Sequence, residues 1–169
     1  MDNLNDAKNE SHSAGELVHV EAEIEERAEV IALPFTGEIA FVELVRTELK
    51  LDPDVHLFER NHDEPFIRHP RGRKHIRLVG HRCREIAVTF QYDTTKLHHF
   101  APSTTVFKAL QWAVSKHGFD LDAMAAAKAN LILPGADAPL PREDVLGKFV
   151  QPGHCALTVD LTLKDFTNG

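Results

Sequence analysis

Two cysteines, Cys83 and Cys155, stand in 169 residues. That is too few for a disulfide framework, so a reducing cytosol is the expected compartment. No apolar run approaches the length that crosses a bilayer, which excludes an integral helical membrane protein. Met1 to Ser13 has no basic patch followed by an apolar stretch, so no secretory signal is read there. Cations are in the minority: 19 Lys and Arg against 26 Asp and Glu leave a formal charge of −7. That balance argues against a general nucleic-acid binder. No glycine-rich phosphate loop occurs, since Pro134-Gly135 and Pro152-Gly153 read as turns. No serine, histidine and acid set stands out as a catalytic triad. What is present, 43% apolar and 27% charged residues, fits one ordinary folded domain or two small ones.

Charge is unevenly placed. Residues 1–29 carry nine acids (Asp2, Asp6, Glu10, Glu16, Glu21, Glu23, Glu25, Glu26, Glu29) against Lys8 and Arg27. From Arg68 to Arg84 the chain carries Arg68, Arg71, Arg73, Lys74, Arg77, Arg82 and Arg84 with no acid between them. Such a basic run either docks an acidic partner or neutralises the acidic first strand within one fold.

Hydrophobic periodicity divides the chain in two. Residues 1–15 are polar with few anchors and are expected to form a flexible tail. Val18, Val20, Ala22 and Ile24 alternate with polar residues, the period of a strand with one buried face. Glu29 to Phe35 reads as its return strand. Thr36 is expected to cap a helix with Glu38 near its N-terminus, and Ile39, Val42, Val45 and Leu49 recur at helical spacing. Asp52-Pro53 is expected to stop it. Short strands follow at Val55 to Glu59 and His75 to Val79, with Ile76 and Val79 as core. Then the plan repeats. Ile86 to Tyr92 and Lys96 to Phe100 read as a hairpin. Ser103 or Thr104 is expected to cap a helix carrying Val106, Phe107, Leu110, Ala113 and Val114, ended by Gly118 in a left-handed cap. Leu131 to Leu133 is a short strand. Cys155, Leu157, Val159, Leu161 and Leu163 alternate in the longest strand signal of the chain. Strand, strand, helix, strand, strand thus occurs at residues 16–80 and again at 85–164, each copy large enough for one sheet packed on one helix.

The second copy resembles ubiquitin over about 80 residues. The resemblance lies in an ordered set. It comprises the hairpin Arg84 to Ala101, the helix Thr104 to His117, the segment Leu131-Ile132-Leu133-Pro134-Gly135, the stretch Pro139 to Phe149, and the turn and last strand from Gln151 to Val159. The first copy is similar more weakly, because its segment between Glu59 and His75 is short. The implied fold is α+β: two tandem ubiquitin-like β-grasp domains, each a mixed sheet packed on one helix, followed by a tail at 165–169. Such a plan looks like the tandem ubiquitin-like modifiers of animal antiviral defence and of bacterial antiphage operons, the latter being nearer in size.

The resemblance implies a function that is not enzymatic. An ATP-dependent activating enzyme would adenylate the C-terminal carboxylate. It would then pass to a cysteine as a thioester, and a conjugating enzyme would deliver it to a lysine of a target protein. A deconjugating protease would reverse the attachment. On this reading Gly169 forms the acyl bond, its lack of a side chain suiting a narrow channel. Phe166, Thr167 and Asn168 form the tail that the activating enzyme and protease read. Ubiquitin ends in two glycines after basic residues, whereas here one glycine follows Asn168. Ile132 is similar in place to a partner-binding apolar position of ubiquitin's sheet, and a charged residue, Asp160, takes the matching place on the last strand. Two other readings are an adaptor that never forms a covalent bond and a sulfur carrier with a C-terminal thiocarboxylate. The working place expected is the cytoplasm, with no membrane, nucleic acid or cofactor.

His62, His69, His75, His81 and Cys83 match no tight zinc spacing and are interleaved with arginines, so no metal is expected. His98 and His99 face opposite sides of a strand and cannot easily share an ion. Cys155 is expected as a packed core thiol. Cys83, between Arg82 and Arg84, is the one candidate for a reactive thiol of lowered pKa.

Overall fold

A computed structural model describes residues 16–25, 27–36, 40–66, 70, 72–164 and 166. The first lobe contains β1 (Glu16–Ile24), β2 (Arg27–Phe35), α1 (Phe41–Glu48), β3 (His56–Glu59) and β4 (His75–His81). The second contains β5 (Ile86–Gln91), β6 (Thr95–Phe100), α2 (Val106–Val114), α3 (Ala123–Lys128), β7 (Asn130–Ile132), a 3-10 turn at Leu146–Phe149 and β8 (Ala156–Thr162). The sheets have the orders β2-β1-β4-β3 and β6-β5-β8-β7. In each, an antiparallel hairpin is followed by a helix, and the last strand returns parallel to the first. The repeat read from periodicity is therefore a repeat of topology as well.

Alternation explains both cores. Val18, Val20, Ala22 and Ile24 of β1 and Ile76 and Leu78 of β4 are buried on the face that meets α1. The helix supplies Phe41, Val45 and Leu49, one residue per turn on one stripe. Phe41 seats edge-on against both Phe35 and Phe66. In the second lobe Ile86, Val88 and Phe90 of β5 and Leu157, Val159 and Leu161 of β8 face Val106, Ala109, Leu110 and Ala113 of α2. Full burial of each such side chain contributes roughly 1.5–3 kcal/mol.

Several boundaries differ from the sequence reading. Thr36 does not cap α1: the cap position is Ala40, which makes no side-chain bond to the helix. The helix ends at Glu48, with Lys50 at φ +51°, before Asp52-Pro53 is reached. In α2 the cap is Thr105, whose hydroxyl accepts from the Lys108 amide, and not Ser103 or Thr104. Ala109 is buried where Phe107 was expected, and Phe107 is exposed. Gly118 is not left-handed. It lies against the end of α2, where a Cβ would sit 2.2 Å from the Ala113 carbonyl oxygen, so space and not φ requires glycine. The helix α3 had no periodicity to announce it, since AMAAAK buries none of its residues.

The lobes share an interface built on the outer face of the first sheet. Val79 alternates with the core residues Ile76 and Leu78, so it faces away from α1, yet it is buried, as is Phe58 paired with it on β3. Val79 is thus buried as expected, but against the second lobe: it lines one small cavity with His81, Val145 and Gly147. Asn61, at φ +63°, makes three bonds across the boundary. Its amide donates to the Ser103 carbonyl (3.0 Å), its side-chain oxygen accepts from the Thr105 amide (2.9 Å), and its carbonyl accepts from Lys108 Nζ (3.1 Å). Ser103 Oγ donates to the His62 carbonyl (2.9 Å), and the Arg60 guanidinium donates to the Glu143 carbonyl.

Candidate functional site

The region with the densest chemistry is the junction of residues 81–85 with the loop 147–155. His81 ends β4 and is buried. Its Nδ1 accepts from the Cys83 amide (2.9 Å), and its Nε2 lies 3.1 Å from the Gly147 carbonyl, to which it donates. That pair of partners specifies the neutral Nε2–H tautomer. Burial holds the His81 pKa below the ordinary histidine value, against the opposing pull of Glu25. Gly147 lies tight against this ring: a Cβ there would come 2.9 Å from His81 Cδ2 and 3.1 Å from the Pro102 carbonyl oxygen.

Cys83 and Cys155 are joined as a disulfide across 72 residues of sequence. This corrects two expectations at once. Cys155 is not a core thiol but is exposed just before β8, and Cys83 is buried and holds no free thiol to act as a nucleophile. The ground that free cysteines lent to a reducing compartment is removed with them. The pairing follows from topology. β5 and β8 are parallel neighbours, with Ala87 opposite Ala156 and the Ala87 amide donating to the Cys155 carbonyl (3.0 Å). Two parallel strands begin at the same sheet end, so residues just before each come together. The signal was available only to a reading that paired first and last strands. Both cysteines line a cleft of about 740 Å³, together with Phe149, Val150, Pro152, Arg82, Lys148 and His154.

The basic run meets the acidic strand inside the fold. Because β1 and β4 are parallel with Glu21 opposite Arg77, those side chains pair at 3.3 Å. Arg82 is ringed by Glu25, Asp52 (3.0 Å) and Asp54 (3.2 Å), and these carboxylates raise its pKa, Glu25 foremost. Arg73 pairs with the buried Glu59. Exposed pairs of this kind add little stability each but satisfy the charges they join.

The tail and sheet positions are placed as follows. β8 ends at Thr162, whose hydroxyl accepts from the Lys164 amide (3.1 Å). Lys164 Nζ lies 5.5 Å from the centre of the half-buried Phe166 ring. Thr167, Asn168 and Gly169 lie outside the described residues. Ile132 is half-buried on β7, directly opposite Asp160 of β8, on the sheet face turned away from α2. That face also carries Thr89 and Thr158, opposite one another, and the exposed Leu97. The histidines remain apart. His98 stacks on Trp112 at 4.4 Å on the core side, and His99 is exposed on the other. Burial lowers the His98 pKa, with His99 and His117 adding repulsion. Among the described residues no group of three or more His, Cys, Asp or Glu is arranged to hold a metal ion. Among them, too, no helix is long and apolar enough to cross a membrane.

Residues 85–164 match the family model described as BilA ubiquitin-like domain 2, a little under half of the chain. Against curated proteins the chain has no significant match. The matched segment is the whole second sheet with its helices, and the first lobe repeats its strand order. The chain therefore has the fold of two tandem ubiquitin-like α+β domains, the second of them similar in sequence to BilA ubiquitin-like domain 2.

Proposed function

We propose that the chain is a ubiquitin-like protein modifier of bacterial antiphage defence, working in the cytoplasm and carried by its own C-terminal carboxylate. The observation that carries the reading is the match of residues 85–164 to BilA ubiquitin-like domain 2. Supporting it, β8 ends at Thr162, so that the segment leading to Gly169 follows the last strand of the matched lobe.

On this reading the protein is the group transferred and supplies no catalytic side chain. An activating enzyme joins the Gly169 carboxylate to AMP, releasing pyrophosphate from ATP. A cysteine thiolate then displaces AMP to form a thioester, and a conjugating enzyme presents that thioester to a target lysine. The amine displaces the thiolate, and an isopeptide bond remains. A protease hydrolyses that bond to return the free chain. Residues 1–15 precede the first lobe (16–80), and residues 165–169 are the handle after the second (85–164). Phe166, Thr167 and Asn168 are read by the activating enzyme and protease, and Ile132 is a partner contact on the open sheet face.

The test is incubation with ATP and an activating and a conjugating enzyme of a bacterial ubiquitin-like conjugation system. The expected result is an ATP-dependent, thiol-labile adduct on each enzyme and a thiol-stable adduct on a target. Deleting Gly169 should abolish all three. A deletion variant that still forms the thioester would exclude Gly169 as the acyl residue. Absence of any adduct with the intact chain, alongside stable non-covalent capture of a partner, would leave the adaptor in its place.

A further inference from the structure

The cystine has one sulfur-bearing residue in solvent and one in the protein. Cys155 is exposed in the turn before β8, whereas Cys83 is only 5% exposed. Both line the cleft of about 740 Å³ between Arg82 and the loop 147–155. A structural cystine is usually sealed from exchange, and exchange depends on access to the sulfur attacked. The bond also lies in series with the contact between the lobes. Cys83 donates its amide to His81, and His81 reaches the Gly147 carbonyl at the other end of the same loop. Cys83 Sγ itself lies 3.5 Å from the His154 carbonyl.

We propose that Cys83–Cys155 is a thiol–disulfide exchange site for low-molecular-weight thiols, and that its state sets how firmly the loop 147–155 and the His81 contact hold the two lobes together. In the first step a thiolate attacks Cys155 Sγ. The Cys83–Cys155 bond breaks, Cys83 leaves as a thiolate, and Cys155 carries the mixed disulfide. Arg82 is already paired with Glu25, Asp52 and Asp54, so the departing Cys83 thiolate is quenched by a proton from solvent. In the second step another thiolate attacks the small-molecule sulfur of the mixed disulfide and frees Cys155. Both cysteine thiolates take protons from solvent. The balance is one cystine reduced to two thiols and two small thiols oxidised to one disulfide. The oxidised chain holds the junction shut, and the reduced chain releases the loop. This holds whether or not the C-terminus is conjugated.

Glutathione is the probe. The full chain is equilibrated across ratios of reduced to oxidised glutathione, alkylated and weighed by mass spectrometry. Hydrogen exchange is followed at both extremes. Expected are two new thiols appearing together in reducing buffer and a trapped glutathione adduct on Cys155 but not Cys83. Amide exchange between residues 81–83 and 147–155 should rise at least tenfold, with β1 and β2 unchanged. The variant Cys83→Ser should take up one glutathione at Cys155, and Cys155→Ser should take up none. Two free thiols in oxidised buffer, an adduct on Cys83 instead, or identical exchange in both states would overturn the proposal. Should either variant fail to fold, the titration of the unaltered chain decides alone.

Discussion

Asn61 occupies a left-handed backbone position that asparagine tolerates better than most residues, and it spends all three of its interfacial groups on the second lobe. Asn61→Ala keeps the backbone bonds only by straining φ and leaves the Thr105 amide without its acceptor. A loss of about 1–3 kcal/mol in urea unfolding is expected. Asn61→Gly relieves the strain and should cost less. His81 acts through pH. Burial lowers its folded pKa, so as pH falls the unfolded chain takes up the proton first. Stability is therefore complete above about pH 6.5 and declines as pH falls from there toward the lowered folded value. His98, lowered by burial as well, adds to the same slope. Replacing His81 with Gln should flatten the dependence between pH 7 and 5 without removing it, as read from denaturant midpoints at each pH.

At the scale of elements, the period-two and helical patterns were legible because a core face is the strongest local signal a chain carries. The buried sets of β1, β5 and β8 fall where alternation put them, apart from the exposed Cys155 and Tyr92 and the half-buried Leu163, which lie beyond the strand ends. Helix starts were not legible. Polar residues that cap well are common near any helix, and tertiary contacts choose among them. At α2 the Val106 and Phe107 amides donate to the Asp144 and Arg142 carbonyls, which places the first turn one residue later than Thr104 and two later than Ser103 suggested. Gly118 shows the same limit. A glycine after a helix reads as a left-handed cap, but here it makes room for the chain to fold back on the Ala113 carbonyl. Since backbone and not a flexible side chain is in the way, Gly118→Ala should cost about 3 kcal/mol. The loss would appear in the unfolding of the second lobe, with the hydrogen exchange of β1 and β2 unaltered.

The whole molecule is asymmetric although its lobes repeat. The outer face of the first sheet is covered where Val79 meets the second lobe, while the matching face of the second sheet, with Leu97, Thr89 and Thr158, stays open. A partner that reads a sheet surface therefore finds more of it on the second lobe. The cystine closes a loop spanning 72 residues, and by chain entropy such a crosslink contributes about 2–5 kcal/mol. Denaturant unfolding with and without reductant should differ by that amount, with the early-unfolding segment at 147–155.

Sequence alone determined the two-lobed α+β plan, the strands and their inward faces, and the uneven placing of an acidic first strand and a basic fourth. All of these follow from local periodicity and composition, which the chain carries wherever it sits in space. The tertiary structure decided the rest: which cysteine meets which, why Val79 is buried on a nominally wet face, and how His81 loses its proton to burial. Each of those depends on residues far apart in the chain being brought to one sheet end or one boundary, and no window of neighbouring residues contains that distance.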